Sequence, residues 1–340
     1  MAGRQDSDVR AISYTRATDV PAAVAAVTRD PGSSYLAGGT TEVDLLRLDV
    51  LRPHRLVDIN RLPLAGIEDR SDGGLLIGAL ARMSEVAEAR AVVERFPMLS
   101  QALLLGASAQ LRNMASMGGN LMQRVRCAYY RDPESACNKR VPGSGCSALD
   151  GVHRGHAILG TSEHCIATHP SDMAVALVAL DAVVHVEGAK GPRTIPVDDF
   201  FLLPEDTPER EHPLTPGELI TAIEVPPVPM ARRSLYLKVR DRESYEFALA
   251  SAAVALALED GVIREARLAL GGVATKPWRA HRAEDILVGE RADVDVFVRA
   301  AAAELAPALT RPMNGFKAEL ARRTIVRALQ TVAAQGGGTA

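Results

Sequence analysis

No apolar run in this 340-residue chain is long enough to cross a bilayer as a helix, which needs about 20 residues. The longest, FALASAAVALAL (247–258), is short and alanine-rich, and a core segment is expected there. The N-terminal stretch MAGRQDSDVRAISYTRATDV has no apolar centre of the kind that marks a secretory signal. Charge of one sign is not in excess either: the net charge is −3 and no dense basic face occurs, which speaks against a nucleic-acid partner. The arginines of ARRTIVR (321–327) fall at helical spacing and read as a solvated helix face. Neither G-x-G-x-x-G nor a Walker A sequence is present, which argues against a Rossmann or P-loop protein. Cysteine is scarce, and none of the four is part of a C-x-x-C pair, so zinc-ribbon and ferredoxin motifs are missing. Internal repeats, a Ser–His–Asp set and paired catalytic carboxylates are also lacking. These absences leave a soluble protein with no direct membrane insertion. It is expected in the cytoplasm, or in the periplasm if a partner subunit carries it there. A reducing compartment makes disulfides unexpected and turns attention to metal or redox use of the thiols.

What is present alternates strand and helix. AISYTRA (11–17), SSYLAGG (33–39) and RLVDI (55–59) read as strands, with helices over DVPAAVAAVTRD (19–30) and TEVDLLRLDVL (41–51). This βαβαβ rhythm predicts a small parallel sheet over residues 1–62. A second part, 63–228, opens with a hairpin, AGIEDR and LLIGAL around SDGG, followed by helix to about residue 108. It continues with short strands HAILG and CIATH, a helix over PSDMAVALVAL and the strand pair AVVHVEG and RTIPV. The proline-rich crossing VPPVPMARR (225–233) marks a boundary before an α+β unit, 229–335. That unit has strands in RSLYLKVRD, FALASAAVALAL and IREARLALGGV, and helices near 292–305 and 316–335. The tail GGGTA is expected to be disordered.

Two glycine turns carry the first functional signal. YLAGGTTEVDLL (35–46) places Gly38 and Gly39 between strand and helix, where backbone N–H groups can approach a phosphate closely. RNMASMGGNLMQ (112–123) is a second such turn, with Ser116, Gly118, Gly119 and Asn120. Gripping a ligand from two sides suits a dinucleotide; two plain structural turns remain the competing reading. The second signal is RVRCAYYRDPESACNKRVPGSGCSALD (124–150), which with Cys165 holds every cysteine of the chain. Nine, eight and eighteen residues separate Cys127, Cys137, Cys146 and Cys165. On the residues alone an iron–sulfur cluster, a zinc site and inert thiols stay open, a Cys₃His zinc site drawing on His153, His156, His164 or His169 among them. Arg124, Arg126, Arg131, Lys139 and Arg140 could offset an anionic cluster and lower the thiol pKa values.

Together, LAGGTT, IGALARMSEVAE, QLRNMASMGGNLM, PSD and LGGVATKPWRAHRAEDILVGE resemble, in order and over nearly the whole chain, the FAD-binding subunits of molybdenum hydroxylases. That group includes xanthine dehydrogenases, aldehyde oxidoreductases and carbon monoxide dehydrogenases. The resemblance implies an α+β fold: a PCMH/vanillyl-alcohol-oxidase-type FAD-binding domain of two subdomains, then a CO-dehydrogenase-flavoprotein-like C-terminal domain. It implies pyrophosphate binding at Leu36, Ala37, Gly38, Gly39, Thr40 and Thr41, with further dinucleotide contacts from Ser116, Gly118, Gly119 and Asn120. Asp172 would meet the adenosine side, Ile220 the adenine end and Lys238 the flavin edge; on the residues alone, Lys238 could equally be a surface lysine. Fifty residues separate Asn120 and Ser171, a longer insertion than most relatives carry. Such an insertion is shared by PaoABC-type aldehyde oxidoreductases and 4-hydroxybenzoyl-CoA reductases, which hold an additional [4Fe–4S] cluster; the resemblance is nearer to the former. It implies Cys127, Cys137, Cys146 and Cys165 as cluster ligands in an insertion over about 121–169. The partners implied are a molybdenum-cofactor large subunit, a [2Fe–2S] small subunit and an external electron acceptor. The expected role is electron transfer through FAD in a molybdenum-dependent aldehyde oxidoreductase complex, with a 4-hydroxybenzoyl-CoA reductase-type or xanthine dehydrogenase-type flavin subunit as the alternative and a zinc-stabilised scaffold as the reading from another class.

Overall fold

The computed structural model describes residues 11–335; the first ten residues and the GGGTA tail lie outside the described residues. Three sheets follow one another along the chain. The first is the expected small parallel sheet, β1 (Ser13–Arg16), β2 (Ser33–Leu36) and β3 (Arg55–Asp58), in the order β1-β3-β2. Its crossover helix Val20–Arg29 begins where Asp19 accepts the N–H of Ala22 at 2.7 Å, with Pro21 in the first turn. Ala23, Val24 and Val27, three and four residues apart, form its buried face.

The second sheet is antiparallel throughout: β4 (Ile67–Asp69), β5 (Leu75–Gly78), β6 (Val183–Gly188), β7 (Gly191–Pro196) and β8 (Leu219–Val225), ordered β4-β5-β8-β6-β7. Beside it lies the helix Asp172–Ala179, whose eight residues are all buried. An apolar helix of this kind has no face left for solvent and becomes the centre of a core.

The third sheet holds β9 (Ser234–Val239), β10 (Ala250–Glu259), β11 (Val262–Gly271) and β12 (Trp278–Arg279), in the order β12-β11-β10-β9. Here FALASAAVALAL finds its place as a strand. Ala253 and Ala255 enter the core of helix Asp172–Ala179, while Ala252, Val254 and Leu256 enter the core under the C-terminal helices. Alternation along the strand thus shares β10 between two cores, and that explains a run with no polar side. Ala321, Ile325, Ala328, Leu329 and Val332 of helix Phe316–Ala334 close the second of these.

HAILG and CIATH do not form the expected strands. Their mutual pairing is reduced to one bond, Ala157 N–H to the Ile166 carbonyl at 2.9 Å. The backbone turns instead to the chain after β11: Ile158 N–H donates to the Val273 carbonyl at 2.8 Å and His169 N–H to that of Ala274 at 3.0 Å. The insertion builds a small core of its own, in which Val125, Tyr130, Cys137, Cys165 and Ala167 surround Leu45 of helix Glu42–Arg47.

Candidate cofactor site

β2 runs directly into the first glycine turn, where Gly39 has φ +71°, a left-handed value that glycine adopts freely. Thr41 opens helix Glu42–Arg47 with no side-chain cap. Among the described residues, the N–H groups of Gly38, Gly39, Thr40 and Thr41 donate to no protein acceptor. Unpaired donors at the edge of a cavity are what an anionic oxygen requires. In the second turn Ser116 accepts the N–H of Gly119 at 3.2 Å, and Gly118 N–H donates to the Ala79 carbonyl at 2.8 Å. Asn120 is held on both sides of its amide, by Ser171 Oγ at 2.5 Å and Met83 Sδ at 3.2 Å.

The two turns, remote in sequence, are locked together by Arg82 and Asn60, neither of them among the expected site residues. Arg82 donates to the Met114 carbonyl at 2.6 Å and to Asn60 Oδ1 at 3.0 Å. Asn60 in turn donates to the Ala37 carbonyl at 2.8 Å. Leu36 contributes to this clamp through its carbonyl, which accepts the Ile59 N–H at 3.1 Å, and it does not line the cavity.

Two clefts meet at these turns and share Thr40, Thr41 and Gly119. One, of about 480 Å³, is bordered by Ala37–Thr41, Ser116, Gly118 and Ile220. The other, of about 530 Å³, is bordered by Asn120, Asp172 and Lys238. A bent cavity with unpaired donors at its middle fits a dinucleotide, with one end in each cleft.

Asp172 was expected beside the adenosine, with Ile220; the structure separates the two. Asp172 opens helix Asp172–Ala179 and accepts from Lys238 Nζ at 2.7 Å on one oxygen and from Tyr236 Oη at 2.6 Å on the other. Tyr236 and Lys238 stand two apart on β9, so alternation delivers both to one side of the strand. Lys238 is no surface lysine: its side chain is 1 % exposed, and it also donates to the Leu105 carbonyl at 3.0 Å. Burial pushes the Asp172 carboxyl above its ordinary range, against the pull of Lys238. The spacing of Tyr236 and Lys238 was visible in LYLKVRD; that their side chains meet Asp172 was not.

All four cysteines border one small cavity next to these clefts. Gly143 and Gly145, with φ of +82° and +97°, fold PGSG back so that Cys137 and Cys146 stand opposite each other. Ser144 and Asn138 hold the loop through the N–H groups of Cys137 (3.1 Å) and Gly145 (2.8 Å). The surrounding cations are paired elsewhere, and of them Lys139 lowers the Cys165 thiol as expected without outweighing burial. Arg126 and Arg131 pair with Asp44, Arg124 and Lys139 pair with Glu211, and Arg140 ties backbone carbonyls of residues 129–135. With those charges engaged, burial wins: it pushes the Cys127 thiol up to about 11 and raises that of Cys165. Among the described residues no three His, Cys, Asp or Glu side chains are gathered as a single metal ion would need. Of His153, His156, His164 and His169, His156 meets a thiol, with Nε2 3.2 Å from Cys127 Sγ. His169 packs against Phe201, His153 accepts from the Met313 N–H, and His164 lies by Asp206.

Comparison with known proteins agrees with this architecture. Residues 10–228 match the FAD binding domain in molybdopterin dehydrogenase, and residues 235–332 the CO dehydrogenase flavoprotein C-terminal domain. The chain belongs to the FAD-binding subunits of the molybdenum hydroxylase family and is an oxidoreductase subunit. It is 46% identical to the aldehyde oxidoreductase FAD-binding subunit PaoB of Escherichia coli (strain K12), over 96% of this chain and all of that protein. The glyceraldehyde dehydrogenase medium chain of Sulfolobus acidocaldarius is 29% identical over 93% of this chain and 95% of its own length. Among solved structures, reconstituted CO dehydrogenase from Oligotropha carboxidovorans superimposes with a TM-score of 0.75 over 95% of this chain and 98% of that one. At 23% identity, that likeness concerns the fold. No helix among the described residues is long and apolar enough to cross a membrane.

Proposed function

We propose that this chain is the FAD- and [4Fe–4S]-carrying electron-transfer subunit of a molybdenum-dependent aldehyde oxidoreductase. It would assemble with a molybdenum-cofactor large subunit and a [2Fe–2S] small subunit as a heterotrimer or its dimer, and deliver electrons to an external acceptor. The cytoplasm is the compartment this reading favours, or the periplasm if the complex is exported together. The observation that carries it is the joining of two remote glycine turns in one bent cleft, with all four thiols around one cavity beside it. Aldehyde chemistry is suggested by the name of the 46% identical relative.

A bound flavin supplies exchange between one- and two-electron steps, and a cluster supplies single-electron exchange. The residues of this chain supply position and charge. Donors of Gly38–Thr41 and the cap at Ser116 would hold a pyrophosphate at the junction of the clefts. Ile220 and Tyr35 would border the adenine end, with Tyr35 donating to the Gly217 carbonyl at 2.8 Å. Asp172 and Lys238 would lie at the flavin end, which moves Asp172 from its expected place. Cys127, Cys137, Cys146 and Cys165, all free thiols, would form a complete cluster ligand set with no thiol left over. The two-part unit 1–62 and 63–228 would hold FAD, and 229–335 would supply Lys238 to close the site.

Anaerobic purification tests the proposal. Stoichiometric FAD and about four irons per chain are expected. Cys146→Ser should lose the iron and retain FAD. A colourless protein with one zinc per chain, or a variant that loses both groups together, would overturn the assignment of separate sites.

A further inference from the structure

The ring of His156, a buried residue, has one polar partner among the described residues: the sulfur of Cys127, 3.2 Å from Nε2. Its other nitrogen, Nδ1, is buried without a partner. The backbone of His156 is fixed on both sides. Its N–H donates to the His153 carbonyl at 3.0 Å, and its carbonyl accepts from Lys317 Nζ at 3.1 Å and Asn314 Nδ2 at 3.5 Å. No other side chain among the described residues hydrogen-bonds a cysteine sulfur. Backbone donors do so: Ala167 N–H reaches Cys165 Sγ at 3.5 Å, and the N–H groups of Tyr130 and Tyr129 approach Cys127.

His156 is placed as a donor to Cys127, outside the ligand set. Cys127 borders the cavity around which the four thiols stand, and His156 does not. Both residues border a further cavity of about 280 Å³. Of the four thiols Cys127 is the one on that cavity, which runs into the cleft of Lys238 through the shared residues Arg126, Asp172 and Phe247. The histidine therefore meets the thiol that lies toward the flavin end. A sulfur bound to iron has lost its proton and can only accept, so the shared hydrogen sits on Nε2. An N–H aimed at sulfur puts positive charge beside an atom that becomes more negative when an electron is added. The reduced state gains more from it than the oxidised state, and the reduction potential rises. Burial strengthens the effect by keeping water out of the bond.

We propose that His156 donates a hydrogen bond from Nε2 to the Cys127 sulfur and thereby raises the reduction potential of a cluster held by the four thiols. This rests on the reading that those thiols hold a [4Fe–4S] cluster. His156 binds no iron itself and acts through Cys127. Because Lys317 and Asn314 fix its backbone, the C-terminal unit sets the distance of the donor from the sulfur. The higher potential makes the cluster easier to reduce by one electron.

The test uses the full chain purified anaerobically. Iron and FAD are counted first, and the EPR signal of the reduced cluster is then followed in a potentiometric titration. His156→Leu, which removes the donor, should keep its iron and FAD. Its cluster should be about tenfold harder to reduce, a shift of about 59 mV to lower potential for one electron. His156→Gln, whose amide nitrogen can stand where Nε2 stood, should restore most of the shift. If His156→Leu holds no iron, His156→Asn replaces it, because its shorter amide stays polar without reaching the sulfur; the same fall in potential is expected. An unchanged potential in the variant that keeps its iron would overturn the proposal, as would an equal fall in His156→Gln. Loss of iron from both His156→Leu and His156→Asn would also overturn it, since His156 would then be a ligand or a structural support. A wild-type chain without iron would instead overturn the cluster reading on which the proposal rests.

Discussion

A Cβ on Gly38 would lie 2.0 Å from the carbonyl oxygen of Met114, and that oxygen is already fixed by Arg82. The glycine is therefore demanded by the second turn pressed against the first, before any ligand is considered. Gly38→Ala should force the turns apart, lower stability by about 1–3 kcal/mol and reduce FAD content. Gly143 is the control, because a Cβ there meets nothing and only its φ of +82° resists substitution. Gly143→Ala should cost about 1 kcal/mol and leave FAD binding unchanged. Urea unfolding and FAD titration of both variants check this; equal FAD loss in the two would refute the special role of Gly38. At this scale the two turns were legible because glycine pairs between strand and helix are a local signal. The partnership of Asp172 with Tyr236 and Lys238 was not, because it joins side chains more than sixty residues apart through tertiary packing.

At the scale of elements, periodic segments were readable and the insertion was not. The helix Val20–Arg29 and the β4–β5 hairpin carry their own caps and turns, so local chemistry specifies them. HAILG and CIATH look like strands, yet their backbone groups find partners on the chain after β11. The insertion also ends on a histidine whose burial has a consequence. An unhindered histidine titrates near 6.5, but burial lowers His169 to about 4. Between these values the unfolded chain binds a proton that the folded chain refuses. Stability is therefore lost as pH falls from 6.5 to about 4, with a slope of at most about 1.4 kcal/mol per pH unit. His169→Gln should remove this part of the acid sensitivity and leave the profile above pH 7 unchanged in shape. Urea unfolding of both proteins across that range decides it, and parallel curves would exclude His169 as the source.

For the molecule as a whole, the question is what holds the insertion to the C-terminal unit. Leu309 N–H donates to the Ile158 carbonyl at 2.7 Å, and Asn314 Nδ2 to that of Ala157 at 3.2 Å. The strongest tie is Lys317, at 0 % exposure, whose ammonium donates to the carbonyls of Gly155 (3.0 Å), His156 (3.1 Å) and Gly272 (2.6 Å). One side chain of helix Phe316–Ala334 thus joins the cysteine insertion to the end of β11. Burial lowers its pKa to about 7, so the charge is costly to keep there. Lys317→Met would remove that cost but leave the Gly272 carbonyl without a donor, a loss of about 1–3 kcal/mol, while Gly155 keeps Thr168 Oγ1 at 2.8 Å and His156 keeps Asn314 Nδ2 at 3.5 Å. The second effect is larger, and a net loss of about 1–2 kcal/mol is expected, seen as a fall of a few degrees in Tm. The glycine turns and Ile220 lie on the first two sheets, away from this tie, so iron content should fall further than FAD content in the variant. Equal stability to the wild type would mean that the ammonium contributes nothing net, and that the small core around Leu45 and the bonds of Leu309 and Asn314 hold the insertion.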